Sequence, residues 1–578
     1  MAIAMSALLL FSVEPLVGRL LLPAFGGAPA VWATVIAFFQ VVLLVGYAYA
    51  HVVATRLGTR AGIALHLAVL VVALVLTLLG PHAVADVRLP VLPVVPGPLL
   101  VLLVLIGPAA FALTATTPLI STWYGRARRA DVEPGDTEPY WLYALSNGGS
   151  LVALLAYPLV IEPRIGLSRQ RGLWDIGLGL LVVVIGLAGA VVLARVGPGH
   201  AMAPAADAVD PDVEPTPDRI DPSPRPSLST RLRWIGLATV PAGLLSAVTN
   251  QVTTDLISAP LLWVIPLAVY LASFIVAFSR RGRRLVPAAV LAAPAALTLL
   301  WIPTGSSGVW PVVPLLAGLY LGLGVIATAL HGRLADLRPP DRHLTSFYLH
   351  LSVGGAISGL FVALVAPAAF KGVWELPILV VLAFVALAVT APPTPSLRPL
   401  RAVLAGAPLR VGIYLVAVVP MLVLIAASGG QGFAAAWRWA AVGGLILVAG
   451  GVPRFLALTT GVVLVLATFV LPPAALFRDR SFFGVVEVLR TDTTTILMHG
   501  TTVHGVEPLV LRDPPDPGSY YARSGPVGDI FDAWSARPAG VIRVVGLGAG
   551  AIAVYGRPDD DMAFFEIDPL IVRVAEDP

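Results

Sequence analysis

Residues 61–79 read AGIALHLAVLVVALVLTLL, and His66 and Thr77 are the clearly polar side chains in this run. A helix needs about 20 mainly apolar residues to cross a bilayer, and runs of this kind recur along the 578-residue chain. Hydrophobic residues form 57% of the sequence and charged residues 12%, against about 45–50% and about 25% in soluble domains. The composition therefore predicts a polytopic α-helical membrane protein.

Twelve candidate spans form two groups of six, and about three more follow before residue 472, which gives fourteen or fifteen in total. The first group is near residues 2–22, 30–54, 61–79, 98–121, 140–162 and 173–195. The second group is near residues 232–250, 259–279, 285–303, 310–331, 346–368 and 373–391.

These groups define the predicted domain organisation. A first six-helix block covers residues 1–195, a second covers 231–391, and additional spans fill 392–472. Residues 196–230 hold eight prolines and several acidic residues, a composition that predicts a disordered linker. We assign residues 473–540 to a β region and 541–578 to the start of a nucleoside-binding, Rossmann-like α/β domain.

Short motifs recur between the two blocks. Residues 28–32 (APAVW) return as 259–263 (APLLW), and residues 145–149 (LSNGG) return as 351–355 (LSVGG). Matches in the same order indicate a duplicated six-helix unit, which is an architecture typical of transporters. The paired glycines favour close packing of helix backbones.

Arginines in the loops predict the orientation, because cytoplasmic loops retain positive charge. Those that fall in even-numbered loops are Arg56, Arg60, Arg126, Arg128, Arg129, Arg280, Arg281, Arg283, Arg284, Arg333, Arg338 and Arg342. We expect the protein in the inner or plasma membrane of the cell, with its N-terminus in the cytoplasm. Fourteen spans would leave the C-terminal domain cytoplasmic, as we expect, and fifteen would place it outside. Arg164, Arg169 and Arg171 break the pattern.

Composition also limits the chemistry. The chain has no cysteine and a net charge of +4, so it offers no thiol nucleophile or cysteine-ligated metal and no charge excess suited to nucleic acid. We expect no metal and no nucleic-acid partner, with the lipid bilayer as the main surroundings.

A nucleotide-binding pattern begins near residue 541. The apolar run 541–545 predicts a buried parallel strand, and the turn Gly546-Leu547-Gly548-Ala549-Gly550 follows it directly. A second strand near 562–565 ends at Glu566, sixteen residues after Gly550. Glycines allow a close approach of the backbone to a ligand, and an acidic residue at this distance can accept hydrogen bonds from ribose hydroxyls. The pattern predicts binding of an adenosine-type ligand; the alternative is a degenerate turn that binds nothing.

Residues 544–568, with 482–484 (FFG) and 499–505 (HGTTVHG), resemble the start of a spermidine synthase-like domain. The membrane portion resembles the major facilitator type. It is also similar to the membrane part of proteins that are fused to such a domain, and the residues that carry this similarity are 14–16 (EPL), 26–32 (GGAPAVW), 46–51 (GYAYAH) and 331–333 (HGR). The resemblance implies a membrane-anchored aminopropyltransferase of polyamine biosynthesis that acts on a polyamine or other small acceptor. It also implies binding of S-adenosylmethionine or its decarboxylated form, with Gly546, Gly548 and Gly550 lining the nucleoside and Glu566 holding the ribose.

Two departures from that family bear on catalysis. Ala549 stands where the family has an aspartate in the glycine turn, and the strand-end aspartates that bind the attacking amine are absent. We therefore assign no catalytic residue and expect a truncated chain without transferase activity of its own. His499 and His504 are weak substitutes, since histidines in a hairpin turn are more often exposed polar residues.

Ionisable residues within spans are candidates for functional sites because they are costly to insert. Glu14 lies in the middle of the first span and needs either an ion-pair partner or a cavity. Arg19 and His331 lie near span ends, where snorkelling accounts for them. Asp255 closes a polar cluster over residues 250–255, which we interpret as a solvated loop; the alternative is a cavity lining.

Three functions remain open. The first is the membrane-anchored transferase, and the second is a transporter-like or structural membrane protein with a vestigial nucleoside-binding domain. The third is a methyltransferase that uses the same nucleoside site, an option that Ala549 makes more plausible.

Overall fold

The computed structural model describes most of the two blocks and the C-terminal region. The residues it describes are 1–81, 96–129, 140–200, 226–255, 264–301, 312–340, 343–390, 475–500, 502–510, 517 and 521–576. The spans predicted between residues 392 and 472, and residues 201–225 of the predicted linker, lie outside these ranges.

The membrane region is helical, as predicted. Its helices are α1 (Ala2–Phe25), α2 (Pro29–Arg56), α3 (Thr59–Leu79), α4 (Pro96–Leu105), α5 (Gly107–Arg129), α6 (Tyr140–Ala156), α7 (Leu167–His200), α8 (Leu228–Asp255), α9 (Val264–Phe278), α10 (Val286–Trp301), α11 (Val312–Asp336), α12 (Leu344–Leu360) and α13 (Glu375–Thr390). Within the described ranges, eight helices are long and apolar enough to cross a membrane, or ten if two bent pairs each count as one span. The bends are 69° between α4 and α5 and 103° after α9.

Helix α7 differs from the sequence prediction at its end. It continues to His200, five residues into the stretch predicted as a disordered linker. Residues 196–200 therefore extend a long apolar helix, because the prolines and acidic residues that break the pattern are concentrated after residue 203.

The fifth span of each block carries the same local irregularity. A π-helical turn covers Tyr157–Ile161 after α6, and another covers Phe361–Val365 after α12. Short helical turns, Glu162–Arg164 and Ala366–Ala369, then complete each span. Such turns widen a helix by one residue and are rare.

Each block has an apolar core, and two helix pairs make the most extensive contacts between the blocks. Helix α2 packs along α12, and α6 packs along α9. Each pair therefore joins the second span of one block to the fifth span of the other. A small apolar cluster between the blocks includes Trp32 and Leu154 from the first block and Leu245, Leu267 and Leu271 from the second. We call this contact surface the seam.

The C-terminal unit, residues 475–576, has two small sheets. Strands β1 (Ala475–Arg480), β2 (Val485–Arg490), β3 (Thr494–His499) and β4 (Thr502–Pro508) form an antiparallel meander. After helix α14 (Pro526–Ser535), strands β5 (Val541–Val545) and β6 (Asp561–Phe565) pair in parallel, and α15 (Pro569–Glu576) follows.

The parallel pair is less buried than the sequence predicts. Val541 is 61% exposed and Val545 is 91% exposed, although the run was expected to be apolar and covered on both faces; Arg543 interrupts it and pairs with Asp561. The physical reason is that two strands with two short helices, α14 and α15, offer too few neighbours. Among the described residues the sheet has two strands, so a doubly wound Rossmann domain is not present there.

The C-terminal unit contacts the membrane region at one end of the helices. The Arg480 guanidinium binds the Glu375 carboxylate at the start of α13, and Phe482 packs against the core of the first block. We call this end the docking face; it carries the turns at residues 26–28, 165–166 and 370–374. The arginine-rich turns, such as that containing Arg281 and Arg283, lie at the opposite end.

Candidate functional site

The glycine turn has the backbone geometry that its sequence predicts. Gly546, Gly548 and Gly550 have φ angles of 90°, 56° and 69°, in the left-handed region that favours glycine. The Gly546 N–H donates to Phe565 O at 2.8 Å, which continues the ladder between β5 and β6. The turn is therefore closed tightly against the end of β6.

Glu566 reaches the glycine turn, but both of its carboxylate oxygens are already occupied. Oε2 accepts the Leu547 N–H at 2.7 Å, and Oε1 accepts the N–H groups of Ile567 and Asp568 at 2.8 and 3.0 Å. Burial acts to raise the pKa of Glu566, but these backbone donors outweigh it and lower the pKa overall. The carboxylate thus fastens the turn, and ribose hydroxyls would have to share or displace these bonds.

Strand β4 covers the other side of the turn. A side chain at Gly505 would collide with Ala549. Ala549, which stands where spermidine synthases have an aspartate, therefore packs against β4. The His499 and His504 rings lie 5.8 Å apart. Burial lowers the pKa of His504, His499 lowers it further, and Glu566 partly opposes this. His504 therefore faces the site and is not simply an exposed turn residue.

Glu14 is the buried acidic residue of α1. It is 6% exposed and has no hydrogen-bond or ion-pair partner in the part of the chain that the structure describes. Residues 11, 14, 18 and 22 share one helix face by their spacing. Phe11 and Leu22 from this face pack against the seam cluster, and Gly18 lies against the Trp32 ring. Glu14 is therefore on the side of α1 that faces the seam.

Two of the other predicted membrane residues are paired, which corrects the snorkelling interpretation. Arg19 forms an ion pair with Glu162 in the short helical turn that completes the fifth span. His331 is fully buried, with Nδ1 2.8 Å from Ser273 Oγ and its ring stacked on Phe274. The His331 side chain is enclosed in the helix bundle, whereas the Arg19 side chain is 33% exposed and is held by its acidic partner.

The polar cluster at 250–255 is not a solvated loop. Asn250, Gln251 and Thr253 belong to α8 and are buried; the Asp255 and Thr254 side chains lie outside the described part. Asn250 Nδ2 donates to Glu375 Oε1 at 2.7 Å. The loop interpretation was wrong because α8 extends five residues beyond the predicted span.

Glu375 and Arg480 form the main polar contact that the sequence did not indicate. Arg480 Nη2 lies 2.9 Å from Glu375 Oε1 and Nη1 lies 3.1 Å from Oε2, while Nη1 also donates to Gly372 O. The Glu375 side chain is 0% exposed and the Arg480 side chain 7%. The two residues are 105 positions apart, so no local pattern could have linked them.

Further polar groups lie along the seam. His51 Nδ1 of α2 and Thr345 Oγ1 of α12 are 2.9 Å apart in a hydrogen bond between the blocks. The buried Gln40 Oε1 has no hydrogen-bond partner among the described residues, and it lies beside Gly359, where a side chain would collide with it. The seam is thus a mixed surface of apolar side chains with a few polar groups.

Comparison with known proteins gives no family assignment. No family model matches the chain, and no curated protein matches it. Solved structures with weak similarity include a mutant of the nucleoside transporter NupG, with a TM-score of 0.40 and 13% identity over 67% of this chain and 98% of that one. A peptide transporter POT in complex with sulfate gives 0.41 and 13% over 67% and 93%. A mutant of the E. coli fucose:proton symporter FucP gives 0.37 and 14% over 68% and 98%.

These comparisons overturn the resemblance to membrane-fused spermidine synthases. The structural neighbours named above are transporters, and no family model or curated protein matches the chain to support a spermidine synthase. The motifs that suggested the family are only three to seven residues long in most cases, and several are rich in glycine, which is frequent in membrane helices generally. TM-scores of 0.37 to 0.41 are too low to support any argument about the substrate of this chain.

Proposed function

We propose that this chain is a membrane transport protein whose substrate passes along the seam between two six-helix blocks. The observation that carries the proposal is the Glu14 carboxyl, buried on the seam side of α1 without a partner in the described chain. An ionisable residue in a span costs about 2.5–3.5 kcal/mol on insertion scales. Arg19 pairs with Glu162, and His331 bonds to Ser273 through Nδ1 while its Nε2 has no hydrogen-bond partner among the described residues. Glu14 has no partner at all in the described part of the chain.

The chemistry of the site favours a cationic or protonated substrate. A carboxyl in a low-dielectric seam attracts a cation or carries a proton. The polar groups of Gln40 and His51 lie on α2, which borders the same seam. A site between two similar blocks is open to alternating access, in which one block rocks against the other.

Arginine distribution supports an orientation for the transporter. Arg56 at the end of α2, Arg126 near the end of α5 and Arg281 in the turn after α9 lie at the end of the bundle opposite the docking face. Cytoplasmic ends of spans retain arginine. The docking face and the C-terminal unit are then extracytoplasmic, which requires an odd number of spans and favours fifteen. The proposed orientation differs from the cytoplasmic C-terminal domain expected from the sequence, and the two are separated by thiol labelling.

Arg164 and Arg171, which break the arginine pattern, differ in their surroundings. Arg164 donates to Leu159 O and Val160 O, and Arg171 pairs with Asp175 at 3.3 Å. The Arg171 charge is buried and paired, whereas Arg164 is exposed and bonds to carbonyls of the preceding turn. Arg171 therefore gives little guidance about orientation, and Arg164 remains an exception to the pattern.

Thiol labelling tests the orientation directly, because the chain has no cysteine. Asp492→Cys in the β2–β3 turn should react with an impermeant maleimide in intact cells. Arg281→Cys should react only after permeabilisation. The reverse pattern would place the C-terminal unit in the cytoplasm.

Cysteine labelling also tests the proposed substrate path along the seam. Phe11→Cys and Glu14→Cys, on the seam side of α1, should react with a water-soluble methanethiosulfonate. Val13→Cys and Val17→Cys, which point into the first block's core, should not react. If all four cysteines are equally inert, no aqueous path reaches Glu14 and the proposal fails.

A carbodiimide tests the substrate class. Dicyclohexylcarbodiimide should modify Glu14, and tetraphenylphosphonium should slow that reaction by at least about tenfold if the site takes organic cations. Glu162, which is paired with Arg19, is the control and should be neither modified nor protected. Modification of Glu14 that the cation does not slow would exclude organic cations and leave proton transfer.

A second candidate function is binding of an adenosine-type ligand, such as S-adenosylmethionine or its decarboxylated form, at the glycine turn. It is favoured by the three left-handed glycines, Gly546, Gly548 and Gly550, beside Glu566. Titration of the full chain with each compound should then show saturable binding that Glu566→Gln weakens. Absence of binding would leave the turn with a structural role.

A further inference from the structure

The β1–β2 turn, residues 480–484, contacts both blocks at the docking face. Arg480 binds Glu375 and Gly372 O in the second block. Phe482 packs against the core of the first block, which includes Phe25, Ala28 and Leu167 at this end. Two residues span at most about 7 Å along an extended chain, so the turn ties the two blocks together over a short distance.

The two blocks differ at one repeat-related position. The repeat of residues 28–32 as 259–263 is a shift of 231 residues, and the same shift takes Arg19 to Asn250. In the first block, Arg19 pairs with Glu162, so the cation and the acid both come from the block itself. In the second block, neutral Asn250 bonds to Glu375, and the cation comes from Arg480 of the C-terminal unit.

This difference makes the second block dependent on the C-terminal unit. Glu375 is fully buried, and a buried carboxylate without a counter-charge is strongly unfavourable. Withdrawal of Arg480 would leave Glu375 with only the Asn250 amide. The ion pair therefore holds the C-terminal unit on the docking face. Phe482, through its packing against the first block, connects the same turn to that block.

We propose that the β1–β2 turn is a latch that keeps the extracytoplasmic ends of the two blocks together. While Arg480 is bound to Glu375, the docking-face end of the seam stays closed, and release of the turn lets the blocks separate there. The proposal depends on the contacts between the blocks and the turn and does not require that the protein transports a particular substrate.

Distance measurements between spin labels test the latch. Gly27→Cys and Ile265→Cys, both exposed at the docking-face ends of α2 and α9, would carry the labels in the otherwise cysteine-free chain. Double electron–electron resonance should give a narrow distance distribution for the latched protein. Arg480→Ala should broaden the distribution and shift it to longer distances by several ångströms.

A second variant separates the latch from simple loss of stability. Asn250→Arg combined with Arg480→Ala gives Glu375 an internal cation, as Arg19 does for Glu162. This double variant should fold with near-normal thermal stability, yet its distance distribution should be as broad as that of Arg480→Ala. Arg478→Ala is the control, because Arg478 lies on the same strand but pairs with Glu487 of the C-terminal unit. This variant should keep the narrow distance distribution.

The outcomes distinguish the alternatives. A stable double variant with the wild-type distance distribution would show that the blocks stay together without the turn, and would overturn the latch. A broad distribution in the stable double variant supports it, even if Arg480→Ala alone fails to fold. Neither result depends on cysteine accessibility at Glu14, so failure of the latch and failure of the transport proposal are separate.

Discussion

The two membrane blocks share sequence motifs but stabilise their docking-face ends in different ways. The first block pairs Arg19 with Glu162, both from its own spans and both partly exposed. The second pairs Glu375 with an arginine from outside the membrane region, in a fully buried contact. Two helical blocks with recurring motifs can therefore differ in whether their charge balance comes from within the block or from another part of the chain.

Loss of the buried pair should have the largest effect on stability. Removing one partner of a buried ion pair costs about 3–5 kcal/mol, because the other charge is left unpaired. We expect Arg480→Ala to lower the free energy of unfolding in mixed micelles by this amount, and Asn250→Arg to restore most of it. Arg478→Ala is the matched control, and it should cost only about 0–1 kcal/mol because its pair is partly exposed. Equal losses for the two arginines would contradict the comparison between the blocks.

The paired glycines give the next largest effect, and they differ between the blocks. A Cβ at Gly354 would lie 2.6 Å from Ile235 O, whereas Gly355 has nothing within 4 Å. In the first block, the order is reversed, because a Cβ at Gly149 would lie 2.9 Å from Ala4 O and Gly148 is unobstructed. Overpacking of this kind costs about 1–3 kcal/mol.

Alanine substitutions test this reversal. Gly354→Ala and Gly149→Ala should destabilise the protein in chaotrope unfolding. Gly355→Ala and Gly148→Ala should be neutral or slightly stabilising, since alanine favours the helix. If the same member of each pair proves sensitive in both blocks, the packing repeats along with the sequence.

A smaller effect is expected in the first block's ion pair. The side chains of Arg19 and Glu162 are 33% and 20% exposed, and exposed pairs contribute about 0–1 kcal/mol. Arg19→Ala should therefore lower the midpoint of thermal unfolding far less than Arg480→Ala. A loss as large as that of Arg480→Ala would show that the two acids have similar surroundings.

The smallest effect concerns the pH dependence of the C-terminal unit. The pKa of His504 is lowered mainly by burial, so the folded unit binds this proton less well than the unfolded chain. Its contribution to stability should fall as the pH drops through about 6.5, the ordinary value for histidine. Glu566 has a lowered pKa as well, so its contribution is present above its ordinary value of 4.5 and is lost at more acidic pH.

Hydrogen exchange of β3 and β4 measures this dependence. Exchange corrected for the intrinsic pH effect should accelerate between pH 7 and 5.5 in the wild type. His504→Gln should remove that acceleration, and the loss of stability that depends on Glu566 should remain at more acidic pH. An unchanged profile in His504→Gln would assign the pH response to another group.

The sequence predicted the positions of the helices well, but it predicted the contacts of individual polar residues poorly. Long apolar runs such as 61–79 predicted α3 almost to its ends, because the bilayer imposes the same length and composition on every span. Likewise, the glycines of residues 546–550 and Glu566 were expected together, and the structure brings them together. The roles were harder to predict: Glu566 binds the backbone of the turn, and Asn250 belongs to a buried helix.

The sequence by itself determined a multi-pass helical protein with an arginine-rich end and a glycine turn between two strands, because these features depend on local composition and spacing. Tertiary structure alone decided which buried charges have partners, which glycine of each pair is close to a neighbouring helix, and where the C-terminal unit docks. These depend on contacts between residues far apart in the chain, such as Arg480 and Glu375, whose energies arise only when packing removes both from water.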